Sequence, residues 1–222
     1  MEVNITNLKE KNRITIFCGD HNVNTSAIAI DLAMSIISGQ TYWHGYKIRN
    51  RRKAVFFMDL LDCHASVNGW CASHKIEVPY DYTFIQDVDM NSKLSPEKQE
   101  SYITSIKDEV PDVGLIIVDL GMFHGSKTEV MNFCNLLTTT FECNIICFDN
   151  IEASEIPTDC LTYSPLILSV TKDDKQIHNV SLYENGHSIL KYKREVKILP
   201  FENNHTHIWC YNFIKAVKKE KT

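Results

Sequence analysis

The chain has no run approaching the ~18 apolar residues of a membrane span, and no apolar core to its first residues, which are polar and charged through Arg13. The expectation is a cytoplasmic protein without a secretory leader and without a membrane partner. Cysteine is present eight times, but nowhere as C-x-x-C. Without a leader, those cysteines read as reduced thiols, and Cys18 and Cys147 stand in apolar runs where cysteine behaves as a small hydrophobe. The nine histidines include no H-E-x-x-H. His205 and His207, with Cys210 after them, make an incomplete ligand set for a metal. An excess of positive charge is also lacking. The net charge is −5, so no global field draws the chain to nucleic acid or an anionic surface. Local basic clusters, at Lys47–Lys53 and in the tail from Lys215 to Lys221, read first as solvated surface.

What is present is a soluble composition, 44% hydrophobic and 23% charged over 222 residues, enough for one well-buried domain. Apolar strand-like segments alternate with helix-like ones. Strands are expected at 14–18, 54–58, 82–86, 115–119 and 144–148. Helices are expected at 27–37, 65–74, from Ser95-Pro96 to Glu109, and 129–141. Serine as N-cap before proline is a helix start, and Gly39 is a helix stop. Such alternation argues for an α/β fold with a mostly parallel central sheet flanked by helices. After about residue 160 the pattern becomes strand after strand: 166–171, 177–183, 189–193 and 197–201. Asp173-Asp174-Lys175 and Glu184-Asn185-Gly186 supply turns, so the sheet is expected to end in antiparallel hairpins. There is no internal repeat and no linker, which makes residues 1–222 a single domain, with a core at about 12–202 and a short extension at 203–222.

The segment Gly19–Ser26, G-D-H-N-V-N-T-S, lies between a strand and a helix, where a phosphate-binding P-loop belongs. The pattern G-x-x-x-x-G-K-[ST] uses its second glycine to let backbone N–H groups wrap phosphate, its lysine to reach the β/γ-phosphates and its hydroxyl to ligate Mg²⁺. Gly19 and Ser26 are kept. Asn24 replaces the second glycine and Thr25 the lysine. Asn22, Asn24 and Thr25 retain donors that suit an anion at a helix N-terminus. Two readings of Gly19 and Ser26 stand side by side: remnants of a phosphate site, or a turn glycine and a helix-end hydroxyl. Trp43, Trp70 and Trp209 read as packing anchors rather than base-stacking platforms. Leu115–Asp119 has the form of a Walker B strand, whose terminal aspartate holds Mg²⁺.

Together these motifs resemble the RecA-like hexameric helicase family, which includes the plasmid replicative helicase RepA and AAA-type relatives. The match runs from residue 12 to 202 and includes the helix Ala27–Gly39, Trp43-His44-Gly45, Val55–Asp62, Asp119, Phe123-His124-Gly125, Asn144–Asn150 and Ile189–Phe201. The resemblance implies a RecA-like P-loop fold, ATP and Mg²⁺ as cofactors if the site works, assembly into a homo- or hetero-oligomer, and DNA or a replication protein as partner. It also implies roles by position. Ser26 and Asp119 would hold Mg²⁺, Asp62 or Asp59 would stand in for a catalytic glutamate that has become Leu61, and Lys191 and Lys193 would act as finger residues in a neighbour's site. Asn150 replaces the γ-phosphate-sensing histidine and follows Asp149. The lysine, the glycine, the glutamate and the histidine are lost together, which points to a non-hydrolysing protein acting by binding. An active ATP-dependent helicase or translocase, with Asp62 and Asp119 as catalytic residues, and a purely structural oligomer are the two alternatives.

Overall fold

A computed structural model describes residues 14–219, excepting 20–22, 24, 44–45, 49–52, 59–62, 87–93, 111, 122, 124–125, 164–165, 173–176, 185–186 and 204–205. In chain order the elements are β1 (Ile14–Gly19), α1 (Thr25–Ile37), β2 (Tyr42–Trp43), β3 (Tyr46–Lys47), β4 (Ala54–Met58), α2 (Cys63–His74), β5 (Thr83–Gln86), α3 (Pro96–Glu109), β6 (Val113–Asp119), α4 (Lys127–Phe141), β7 (Asn144–Asp149), α5 (Thr158–Tyr163), β8 (Leu166–Lys172), β9 (Ile177–Glu184), β10 (His187–Asn203) and β11 (Thr206–Lys219). Nine strands form one sheet in the order β11-β10-β9-β8-β1-β7-β6-β4-β5. The six from β8 to β5 are parallel, and β9, β10 and β11 continue the sheet antiparallel. This is the α/β architecture expected from the sequence.

Alternation along the strands divides the core in two. Phe17, Val55, Phe57, Leu115, Ile117, Ile146 and Phe148 face α1 and α2. Ile16, Cys18, Phe56, Met58, Ile116, Val118, Ile145 and Cys147 face α3, α4 and α5. Every residue of β1 and β4 is buried, which is why these strands read as nearly continuous apolar runs, broken only by Thr15 in β1, rather than alternating ones. The helix α1 is buried well beyond its predicted stripe, including Ile30, Asp31, Met34 and Ser35. The physical reason is β11, which lies against α1 and α2 in addition to the parallel strands that α1 packs on. A helix enclosed on most sides is apolar on most sides.

Helix ends follow their signals. Ser95 accepts a hydrogen bond from the Lys98 N–H at 3.3 Å, with Pro96 opening α3. Gly39 adopts φ 78°, and the Gly39 and Gln40 N–H groups donate to Ile36 and Ser35 carbonyls. Ser126 caps α4 in a reciprocal box with Glu129, which starts that helix two residues earlier than its apolar spacing suggests. Ser126→Ala should therefore cost about 1 kcal/mol, read as a lower urea midpoint with an unchanged slope.

Several elements differ from expectation. The connection after α1 contains the minimal hairpin β2–β3, and α5 occupies a stretch without a strong apolar period. The strands expected at 189–193 and 197–201 are one strand, β10. Shifts of register at Lys193/Arg194 and Glu195/Val196 carry the charged residues through as an irregularity rather than a break. Most of the stretch read as a short extension is β11, paired along β10. Turn residues Asp173–Lys175 and Asn185–Gly186 lie outside the described residues.

Candidate functional site

Open parallel sheets bind ligands beyond the C-terminal ends of their strands, where successive connections leave to opposite faces. Here β1 leads into α1 on one face, and its neighbour β7 leads through α5 on the other. The crevice between these two strands is bordered by Gly19, Val23 and Thr25 from the β1–α1 side, by Asp149 at the end of β7 and Asn150 just after it, and by Asp119 from β6. Sequence-predicted residues from three separate motifs therefore meet at one end of the sheet.

Their detailed arrangement is set by internal contacts. Thr25, at the lysine position of the P-loop pattern, opens α1 and is fully buried. Its hydroxyl donates to Asn150 Oδ1 at 2.6 Å, so the two replaced positions bond to one another across the crevice. Gly19 sits opposite Val170 in the β1–β8 pairing. A Cβ at Gly19 would lie 2.8 Å from the Val170 carbonyl oxygen and 3.1 Å from both Thr25 Cγ2 and Val23 Cβ. The Thr25 methyl and the buried Val23 thus pack against Gly19. Neither group can replace the charge of a P-loop lysine.

The carboxylates are also engaged. Asp119 is half-buried at the end of β6, and its Oδ1 accepts the Gly121 N–H at 2.8 Å. Asp149 is buried, and its Oδ2 is ion-paired with Lys127 Nζ. The two aspartates approach the same glycine: a Cβ at Gly121 would stand 3.2 Å from Asp119 Oδ1 and 4.0 Å from Asp149 Oδ1. Cys18, beneath this group, has its thiol pushed up to about 12, mainly by burial and further by the Asp149 charge, against a hydrogen bond with Ser169. Burial likewise raises Cys143 to about 12 and moves Cys63 and Cys160 upward. Cys18, Cys63, Cys71, Cys134, Cys143, Cys147 and Cys160 are free, buried thiols, with no activated nucleophile among the shifted ones.

Ser26 lies in the first turn of α1 and Asp119 two strands away, across β7. Asn22, Asn24, Asp59, Leu61, Asp62 and His205 lie outside the described residues. Lys191 and Lys193 belong to β10, third in order from β1, at register with Ser181 and Asn179. Trp43 and Trp70 are buried anchors, as their composition suggested. Among the described residues no group of three or more metal-binding side chains converges, and no helix is long and apolar enough to cross a membrane.

One residue of the crevice was not anticipated. Lys127 is the first residue of α4, where the helix dipole disfavours a cation. That unfavourable placement is itself a sequence signal for a nearby anion, and the anion is Asp149.

No protein-family model matches the sequence, and no curated protein matches it. Among solved structures, the fold is similar to that of a KaiC-like protein from the hyperthermophilic archaeon Pyrococcus horikoshii OT3, with a TM-score of 0.57 at 8% identity. The match covers 85% of this chain and 87% of that one. At that identity the likeness shows the fold alone: a RecA-like α/β sheet.

Proposed function

We propose that this chain is a non-hydrolysing RecA-like protein that acts by binding a replication protein or DNA. It does so within a homo- or hetero-oligomer, in replication or its regulation on a mobile element or phage. The observation that carries the non-hydrolysing part is the Thr25–Asn150 hydrogen bond. In a working site of this type the two positions reach toward phosphate. Here they satisfy one another, and the charge that would hold a triphosphate is gone from α1. The role in replication rests on the resemblance of the motifs to the hexameric helicases. In that setting Lys191 and Lys193 are the residues offered to a neighbouring subunit.

Calorimetry with ATP or ADP and Mg²⁺ on the full chain tests the proposal. No binding at millimolar nucleotide is expected. ATP turnover that disappears in Asp119→Ala would overturn it and establish an active ATPase. Light scattering and a salt-dependent DNA shift then distinguish a binding protein from an oligomer that ignores DNA.

A further inference from the structure

The end of α2 leaves an apolar groove beside it. Lys75 adopts φ 55°, the Ile76 N–H donates to the Cys71 carbonyl at 3.1 Å and the Lys75 N–H to the Ala72 carbonyl at 3.2 Å. That pairing stops the helix and turns the chain off its axis. The turn Tyr80–Tyr82 follows, held by the Tyr82 N–H and the Thr83 hydroxyl on the Pro79 carbonyl. The groove formed here measures about 480 Å³ and is lined by Ala72, Ile76, Val78 and Tyr80, with Asn68 and Glu77 as polar groups. Val78 packs against the core that holds α1 and α2. Large apolar side chains exposed among the described residues are Tyr42, Ile76, Tyr80, Tyr82 and Leu136, so three of the five stand in this one segment, with Tyr80 72% exposed. Single exposed apolar residues need no explanation, but a cluster on a groove marks a place where something docks.

The register of the sheet identifies an occupant within reach. Ile14 pairs with Ile145, Ile145 with Ile116, Ile116 with Phe56 and Phe56 with Phe84. The start of β1 is therefore level with the start of β5, four strand spacings or about 19 Å away, and the groove segment leads directly into β5. The thirteen residues before β1 lie outside the described ones and read M-E-V-N-I-T-N-L-K-E-K-N-R. From Ile14 an extended chain reaches Leu8 at about 20 Å and Ile5 at about 30 Å. Leu8 has no slack for the step from the sheet to the helix layer, whereas Ile5 and Val3 have it. Val3 and Ile5 also fall on one side of an extended segment. The basic residues Lys9, Lys11 and Arg13 span the end of the sheet, where exposed Glu142 and Asp112, the latter paired with Lys53, stand just before β7 and β6.

We infer that the α2-end groove is a docking site for this chain's own N-terminal arm, which crosses the sheet end in cis and seats Val3 and Ile5 against Ala72, Ile76 and Tyr80. The test places a photo-crosslinker in the arm of the full chain, as Ile5→p-benzoylphenylalanine. Crosslinks are expected within the single-chain band, to residues 68–80, with a yield that dilution leaves unchanged because the arm is tethered. Ala72→Glu, at an exposed helical position, should cut that yield at least about tenfold, the scale of a carboxylate set into an apolar contact. If Ala72→Glu does not fold, Tyr80→Glu takes its place. Without the crosslinker, Val3→Asp with Ile5→Asp should raise hydroxyl-radical labelling of Ile76 and Tyr80 above wild type. Crosslinks in a two-chain band would overturn the inference and assign the groove to a second copy. Crosslinks that fall elsewhere, a yield indifferent to the groove variant, or labelling that does not rise would overturn it outright.

Discussion

Asp31→Ala is expected to destabilise the protein by about 3–5 kcal/mol, because two buried indole N–H groups lose their acceptor at once. Asp31 lies within α1 and is almost inaccessible. Its Oδ2 accepts from Trp43 Nε1 at 2.7 Å and its Oδ1 from Trp70 Nε1 at 2.6 Å. One carboxylate therefore ties the β2–β3 hairpin and α2 to α1. Trp43 also stacks on Phe17 of β1, with ring centroids 6.1 Å apart, so the tie reaches the strand that enters the candidate site. Asparagine keeps one acceptor oxygen and turns an N–H₂ toward the second indole, so Asp31→Asn should lose about half as much. Urea melts followed by tryptophan fluorescence measure both effects. A loss under about 1 kcal/mol for Asp31→Ala would show that the indoles find other acceptors.

Gly19→Ala is expected to lower stability by about 2 kcal/mol, within the usual cost of overpacking. The reason is space rather than backbone conformation. The new methyl would meet the Val170 carbonyl at 2.8 Å, an atom fixed in the β1–β8 ladder, and would press on Val23 and Thr25. For a chain of this size, that corresponds to a melting temperature lower by roughly 4–8 °C. The decisive feature is that the loss should be the same with and without ATP–Mg²⁺. A phosphate-cradling glycine would instead reveal its role in nucleotide affinity. A glycine retained for packing beside β8 is what the geometry supports.

The parallel core was readable because its strands are buried on both faces and carry few polar interruptions. Ala54–Met58 was recovered to the residue, and α3 from its serine–proline start to Glu109. Elements without such signals were not. Thr158–Tyr163 has no clear apolar period, and β11 mixes lysines with aromatics, so neither announces a buried face. At the candidate site, the sequence identified the replaced positions but not their relations. Thr25 and Asn150 are 125 residues apart, and only the β1–β7 pairing makes them neighbours. Lys127 and Asp149 are joined in the same way, across the β6–α4–β7 unit. The fold sets a cation, Lys127, against Asp149, a pairing that no local sequence pattern shows.

The sheet order also has a consequence for the chain during its synthesis. The strand β1 has two neighbours, β7 and β8, and both come far later in the sequence. At ~5–20 residues per second, roughly 6 to 25 seconds separate the emergence of β1 from that of its first partner. In that interval β4, β5 and β6 can pair among themselves, while a largely apolar hexapeptide, polar only at Thr15, waits with both edges open. The central strand of the finished sheet is thus the most aggregation-exposed segment of the nascent one, and the segment a ribosome-associated chaperone would need to shield.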